Sequence, residues 1–300
     1  MKNKIIVIGS SNTDMVLKTE RFPKPGETIL GGHFYVFQGG KGANQAVAAA
    51  RLEGKVSFIC KVGNDPFGNS AIQHYSNEGI DVSGISQDDT APTGVAVITV
   101  NSEGENSIIV ASGANANLSV ADVENQIHLL DEAEWLITQL ETPFPVIVYL
   151  AEYARIKQKK LILNPAPAAK LPAEVYHNLF LITPNESETE LLTGIRILNV
   201  LSAQSAASVL KSMGVQNVII TMGSKGAYVD CDGFEGMVPS FKVTAIDTTA
   251  AGDVFNGALV VALAEGKVWE AAVLFASKAA AVSVTRMGAQ SSAPTRNEIN

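Results

Sequence analysis

Short apolar runs alternate with helix-period segments along most of this chain, and that alternation limits the fold more than any other feature. Residues 5–8, 56–60, 135–138, 160–163, 179–183 and 218–222 read as strands buried on both faces. Residues 43–52, 67–78, 120–130, 146–156, 186–192 and 203–213 carry apolar positions at helical spacing. A chain built this way is α/β, with a mostly parallel sheet and helices on both faces. The C-terminal part differs: residues 250–263 and 268–284 are Ala-rich and helical, separated by Gly266.

Two stretches interrupt the alternation. Residues 14–38 contain Glu27-Thr28-Ile29-Leu30 and His33-Phe34-Tyr35-Val36-Phe37 among turn-formers. Residues 93–112 contain two β-rich runs about Asn101-Ser102-Glu103-Gly104-Glu105, a hairpin pattern. Neither has a crossover helix, so together they are expected to form a small sheet projecting from the main body. Such a sheet serves as a lid, a dimer surface, or both. The apolar Phe34, Val36 and Ile98 favour a homodimer, since a small sheet with an apolar face needs cover. With no repeat or linker, one domain over 1–300 is expected, its lid strands inserted from about 14–38 and 93–112.

Composition narrows the partners. Hydrophobic residues make up 46% and charged residues 17% of 300, which excludes a disordered or fibrous chain. Lys plus Arg number 22 against 30 Asp plus Glu, a net charge of −8. That balance repels phosphate backbones and anionic lipids, so neither nucleic acid nor membrane is an expected partner. Cys60 and Cys231 stand in no metal-like spacing and read as reduced thiols, which points to the cytoplasm. None of His33, His74, His128 and His177 has metal-ligand spacing either.

Ligands of open α/β sheets bind beyond the carboxyl ends of the strands, against helix N-termini. Five motifs lie there. Asn12 and Asp14 follow the first strand; they suit vicinal hydroxyls, or simply make an Asx-rich turn. Gly39-Gly40-Lys41-Gly42-Ala43-Asn44 opens a helix and lets backbone approach a ligand, but lacks the spacing of a Walker A loop. Asp247-Thr248-Thr249-Ala250-Ala251-Gly252-Asp253 leads into a helix whose small first residues expose N–H donors to a transferring phosphoryl group. Asp253 stands beside that anion site as a base, or caps the helix. Asn185 and Glu188 share a helix face after a strand, fit for a hydrated Mg²⁺, for capping, or for both. Thr221-Met222-Gly223-Ser224-Lys225-Gly226 is a strand-end turn able to pass close to a nucleotide, or only a tight turn.

In this order the motifs resemble those of the PfkB (ribokinase-like) carbohydrate kinases over nearly the whole chain. DTTAAGDVFNGAL, from Asp247 to Leu259, is similar to the family's highly specific C-terminal signature, and GGKGANQA, from Gly39 to Ala46, to its N-terminal one. The resemblance implies a three-layer α/β/α sandwich with a small projecting β-sheet lid. Gly104-Glu105-Asn106, Asn164-Pro165-Ala166-Pro167-Ala168 and Thr183-Pro184-Asn185-Glu186 are similar to the branch acting on D-ribose. It implies ATP-dependent phosphorylation of the O5 hydroxyl to D-ribose 5-phosphate. By the same resemblance Asp253 is the base and Ala250, Ala251 and Gly252 form the anion hole. Asn12, Asp14, Gly40, Lys41, Gly42, Ala43, Asn44 and Glu141 hold the sugar. Asn185, Thr221, Met222, Gly223, Ser224, Lys225, Gly226, Gly252 and Ser277 meet the nucleotide, and Asn185 and Glu188 arrange Mg²⁺ through water. A monovalent cation, K⁺, falls to Asp247, Thr249, Ser283, Arg286, Gly288 and Ser292. Glu53-Gly54 departs from the family pattern and is expected to shift a helix end by one residue. Val254 also departs, and is expected to point into helix packing. Kinases for fructose, deoxyribose or a pseudouridine-like nucleoside are the nearest alternatives. A non-catalytic sugar-binding protein is a third reading, since fold does not dictate function.

Overall fold

Ile5 and Val7 face one layer of helices and Ile6 and Ile8 the other, so β1 (Lys4–Ile8) is buried on both sides. That is the setting of a central parallel strand, and it explains the unbroken apolar run. The computed structural model describes residues 4–299. After β1 come β2 (Asn12–Lys18), β3 (His33–Gly39), α1 (Lys41–Arg51), β4 (Lys55–Gly63), α2 (Pro66–Asn77) and β5 (Ile85–Asp88). Next are β6 (Gly94–Val100), β7 (Asn106–Ala111), α3 (Val120–Glu124), α4 (Ile127–Glu132), β8 (Trp135–Thr138) and α5 (Phe144–Lys157). Then follow β9 (Lys160–Leu163), α6 (Ala173–Tyr176), β10 (Leu181–Ile182), α7 (Glu186–Thr193), α8 (Val200–Ser212) and β11 (Asn217–Thr221). The chain ends in β12 (Ala227–Cys231), β13 (Phe234–Val238), α9 (Ala251–Ala264), α10 (Trp269–Ser283) and α11 (Arg296–Ile299).

The main sheet runs β13-β12-β11-β10-β9-β8-β1-β4-β5, parallel from β5 through β11, with β12 and β13 antiparallel at one edge. Helices α1, α2, α9 and α10 pack on one face and α3, α4, α5 and α8 on the other. The result is the expected α/β/α sandwich. The small sheet is β3-β2-β6-β7; β2 and β6 pair in parallel, the other neighbours antiparallel.

The structure departs from the sequence reading at several points. The run at 27–30 is not a strand; β2, which begins at Asn12 directly after β1, pairs with β3 instead. The helix expected over 120–130 breaks at Gln126, whose φ of −108° and ψ of 22° separate α3 from α4. The β12–β13 hairpin was not anticipated, although Asp232-Gly233 is the two-residue turn that such a hairpin favours. At the departure from the family pattern, α1 stops at Arg51 and Glu53 takes a left-handed φ of 66°, a conformation that favours glycine.

Helices α1 and α9 approach closely because their shared face is built from small residues. A Cβ on Gly257 would lie 2.7 Å from the Gln45 carbonyl oxygen and 2.8 Å from the Ala48 Cβ. This contact sets Asn44 and Gln45 of α1 against Asp253 of α9. Helix propensity favours Gly257→Ala by about 1 kcal/mol. The clash with backbone of α1 opposes it by about 1–3 kcal/mol, as overpacking does. Gly257→Ala is therefore expected to lose stability in urea denaturation; a variant as stable as the parent would contradict the packing argument.

Candidate active site

The first turn of α9 and the ends of β1, β8 and β9 meet at Asp253. Ala250 caps α9 in the left-handed region, φ 59°, and no side chain caps the helix. The N–H groups of a helix's first turn have no intrahelical partner, and a Cβ on Gly252 would meet nothing within 4 Å. The Ala251 N–H bonds to the Thr248 carbonyl at 3.3 Å, and this end of the helix, with its dipole aimed outward, is the electrostatic setting for an anion.

Asp253 itself is only 5% exposed. Asn44 Nδ2 donates to its Oδ2 at 2.9 Å and Gln45 Nε2 to its Oδ1 at 3.0 Å. Burial raises its pKa; the Lys41 ammonium and the two amide donors pull the other way, and the Glu141 carboxylate adds to the rise. Asn44 Oδ1 is buried without a partner, an acceptor left for something in the cleft.

Glu141 follows β8. Its Oε2 accepts from Ser10 Oγ at 2.5 Å and from the Lys41 backbone N–H at 3.1 Å, tying the β1 end to the start of α1. Gly40, at φ 89°, and Gly42 make this possible: a Cβ on Gly42 would lie 2.6 Å from the Ser10 nitrogen. Asn12 and Asp14 open β2, at the junction of the two sheets. Asn115 Nδ2 donates to Asn12 Oδ1 at 2.7 Å, which turns the Asn12 amide so that its N–H₂ is the free end. Burial first, then the Glu141 and Asp253 carboxylates, push the Asp14 pKa up to about 7. Burial would lower the Lys41 pKa, but Asp253, Glu141 and Glu188 outweigh it, so Lys41 is a firmly charged cation among carboxylates.

On the far side of Lys41 lies α7. Asn185 and Glu188 form a reciprocal capping box, Glu188 N–H to Asn185 Oδ1 and Asn185 N–H to Glu188 Oε2, both 2.8 Å. Asn185 Nδ2 also reaches Glu188 Oε1 at 2.9 Å. Burial raises the Glu188 pKa, and Asp253 adds to the rise while the Asn185 N–H and Lys41 oppose it. Asn185 bridges to Thr221 at the end of β11. From there Met222 enters the single turn Gly223–Lys225, closed by Gly226 at φ 102°, and Lys225 pairs with Glu186 at 3.0 Å. Ser277 is buried on α10.

Asp247, Thr249 and Gly288 also come together. Asp247 Oδ1 accepts from the Thr249 N–H and Oδ2 from the Gly288 N–H, both at 2.9 Å, and these bonds hold its pKa down against burial. The Ser283 and Ser292 hydroxyls are buried and donate to Ala280 and Ala289 carbonyls, leaving their oxygen lone pairs available. Arg286 pairs with Glu298 through its guanidinium.

A buried polar chain behind Asp253 escaped the sequence reading: Gln139, Gln45, Asn164, Thr183 and Asn256. Asn115 escaped it too. Gln45 lay inside a quoted motif, and Asn164 and Thr183 stood at strand ends; only the fold shows that they touch.

The pfkB family carbohydrate kinase model matches residues 2–296. The chain is 45% identical over 298 residues to the ribokinase of Haemophilus influenzae, covering 99% of this chain and 97% of that one. It is 37% identical to the deoxyribokinase of Salmonella typhi, covering 99% and 97%. The structure of Arabidopsis thaliana ribokinase complexed with ribose and ATP superposes with a TM-score of 0.91 at 31% identity, covering 100% and 98%.

The raised Asp14 pKa has a consequence for stability. Only the fold penalises its ionised form, so the penalty is absent below pH 4 and complete above about pH 7. Asp14→Asn is expected to gain about 1–3 kcal/mol at pH 8, discounted for solvent screening, and almost nothing at pH 4. Denaturation at the two pH values checks this; equal differences would contradict it.

Proposed function

The chain belongs to the pfkB family of carbohydrate kinases, and on that premise we propose that it phosphorylates D-ribose at O5, giving D-ribose 5-phosphate from ATP. The observation that carries the reading is Asp253, a carboxylate buried beside the uncapped first turn of α9. A transferring phosphoryl group needs positioning and charge stabilisation more than covalent help. The N–H groups of Ala250, Ala251 and Gly252 face the developing negative charge, and Asp253 takes the proton of the attacking hydroxyl. Asn12, Asp14, Lys41, Asn44 and Glu141, with the backbone of Gly40, Gly42 and Ala43, hold the sugar. The unpartnered Asn44 Oδ1 and the freed Asn12 N–H₂ supply one acceptor and one donor for its hydroxyls. Asn185, the turn from Thr221 to Gly226, Gly252 and Ser277 line the nucleotide side. Residues 1–300 act as one catalytic domain, with the small sheet as its lid.

The family uses ATP with a divalent metal. Among the described residues no group of three or more His, Cys, Asp or Glu side chains gathers to hold an ion. Glu188 has both oxygens engaged by Asn185, which suits a metal reached through water. When bound, Mg²⁺ neutralises charge on the transferring phosphates. For K⁺, Asp247 ties Thr249 to Gly288, and the oxygens that would hold the cation are carbonyls and hydroxyls of Thr249, Ser283, Arg286, Gly288 and Ser292, hard ligands for a hard cation, the Ser283 carbonyl also accepting from the Arg286 N–H at 3.1 Å. The buried thiols Cys60 and Cys231 suit a reducing compartment, the cytoplasm.

Coupled ADP release over a panel of sugars and nucleosides, with and without K⁺, tests the substrate and the cation together. Fast turnover of ribose, raised by K⁺, is the expected outcome; equal rates in K⁺-free buffer would remove the cation site. The Salmonella relative favours a second reading, 2-deoxyribose, which the same panel separates. Asp253→Asn is expected to bind sugar and lose turnover by roughly 10²–10⁴. Near-normal turnover would end the role of Asp253, and silence of folded, sugar-binding parent protein would favour a binding function.

The small sheet is the proposed dimer surface. Strand register puts Asp14, Phe37, Ala96 and Val110 on the face turned to the cleft and Leu17, Phe34, Val36, Val97 and Ile109 on the other. Ile98 belongs to the cleft-side face with Tyr35 and Ile108, so of the three residues read as dimer surface only Phe34 and Val36 face outward. Phe34 is 60% and Ile109 71% exposed, an apolar face that a second copy covers by two-fold symmetry. Light scattering should give twice the chain mass at micromolar concentration, and Val36→Asp should halve it. A monomeric parent protein would contradict this.

A further inference from the structure

We propose that Gln45 is a positioning residue for the transfer: its buried amide holds Asp253 Oδ1, while Oδ2, which accepts from Asn44 Nδ2 and keeps a second lone pair, is the oxygen that receives the hydroxyl proton. Gln45 is 0% exposed, so it cannot touch a substrate. Every polar atom of its amide is used. Nε2 donates to Asp253 Oδ1 and to Asn164 Oδ1, both at 3.0 Å, and Oε1 accepts from Gln139 Nε2 at 2.6 Å. A flipped amide would set Oε1 against two acceptor oxygens and Nε2 against the Gln139 donor. The orientation is therefore fixed from outside the reacting centre.

The anchors are strand ends. Gln139 follows β8 and Asn164 follows β9, and Asn164 Nδ2 leans on the Thr183 carbonyl at 3.4 Å beyond β10. Gly9, at the end of β1, leaves the room Gln139 occupies: a Cβ there would overlap Gln139 Oε1. Asp253 thus has one oxygen clamped to the rigid sheet and the other next to Asn44, whose own Oδ1 is unpartnered. A carboxylate that accepts from Gln45 at Oδ1 and from Asn44 at Oδ2 is held against rotation, so the remaining lone pair of Oδ2 is kept in line with the sugar hydroxyl.

The inference rests on Asp253 being the base, which Asp253→Asn tests separately. The decisive variant is Gln45→Leu, read as kcat against pH at saturating sugar and ATP. A lost hydrogen bond to a charged group predicts a fall in kcat of about 10- to 100-fold at pH 7. The sugar KM should change by less than about threefold, since the interaction matters for the transition state and not for sugar binding. The acid limb of kcat should move to higher pH, because the ionised carboxylate loses a donor. The charged groups around Asp253 stay in place in this variant: Lys41 from α1, Asp14 from β2, Glu141 after β8 and Glu188 from α7. An unchanged kcat, or a lower kcat with an unmoved limb, overturns the proposal. If Gln45→Leu does not fold, Gln139→Met removes the donor that orients Gln45 and should move the same limb by less; an unmoved limb there overturns it. Loss of turnover in Asp253→Asn with no effect at Gln45 sinks this inference alone, whereas an active Asp253→Asn sinks the base assignment beneath it.

Discussion

A carboxylate kept out of water at the start of a helix is the constraint that the rest of this site answers to. Burying an unpaired carboxylate costs several kcal/mol, and the group escapes by taking a proton. Burial raises the Asp253 pKa, and the Lys41 ammonium and two amide donors oppose that rise. The ammonium and both amides belong to α1, so they are available only where α1 lies close against α9, and that closeness comes from Gly257 and the alanines of α1. Small residues in two helices, chemically inert themselves, place the reacting group.

The same logic explains the crowding of like charges. Asp14, Glu141 and Asp253 share one cleft with Lys41, and burial first, then the two neighbouring carboxylates, push the Asp14 pKa up to about 7. Under the proposed function, a sugar would bring hydroxyl donors to these carboxylates and relieve this repulsion. Stability is given up where binding needs it.

Much of the arrangement was legible in the sequence because parallel α/β sheets put their chemistry at strand ends. Asn12, Glu141, Asn185 and Thr221 could be placed by finding the strands, and Asp253 by the small residues before it. What could not be read were contacts between distant segments. Gln45 meets Asn164 and Gln139 across 119 and 94 residues, and no local pattern records that meeting. Asn115, 103 residues from the Asn12 it orients, is hidden in the same way. That Ile98 lies on the face opposite Phe34 and Val36 could not be read for another reason: which way a strand residue points depends on register, and a shift of one residue exchanges the faces. The β12–β13 edge had its turn signal in Asp232-Gly233, but its strands alternate too weakly to stand out beside the parallel core.

In the proposed reaction Asp253, held by Gln45 and Asn44, is a base, while the phosphoryl group passes directly to the sugar. The most direct test is the stereochemical course at phosphorus, using ATP made chiral at the γ-phosphate with oxygen isotopes. A single in-line displacement inverts the configuration, and inversion is the predicted result. Retention would mean two displacements through a phosphorylated side chain, and would contradict the role given to Asp253.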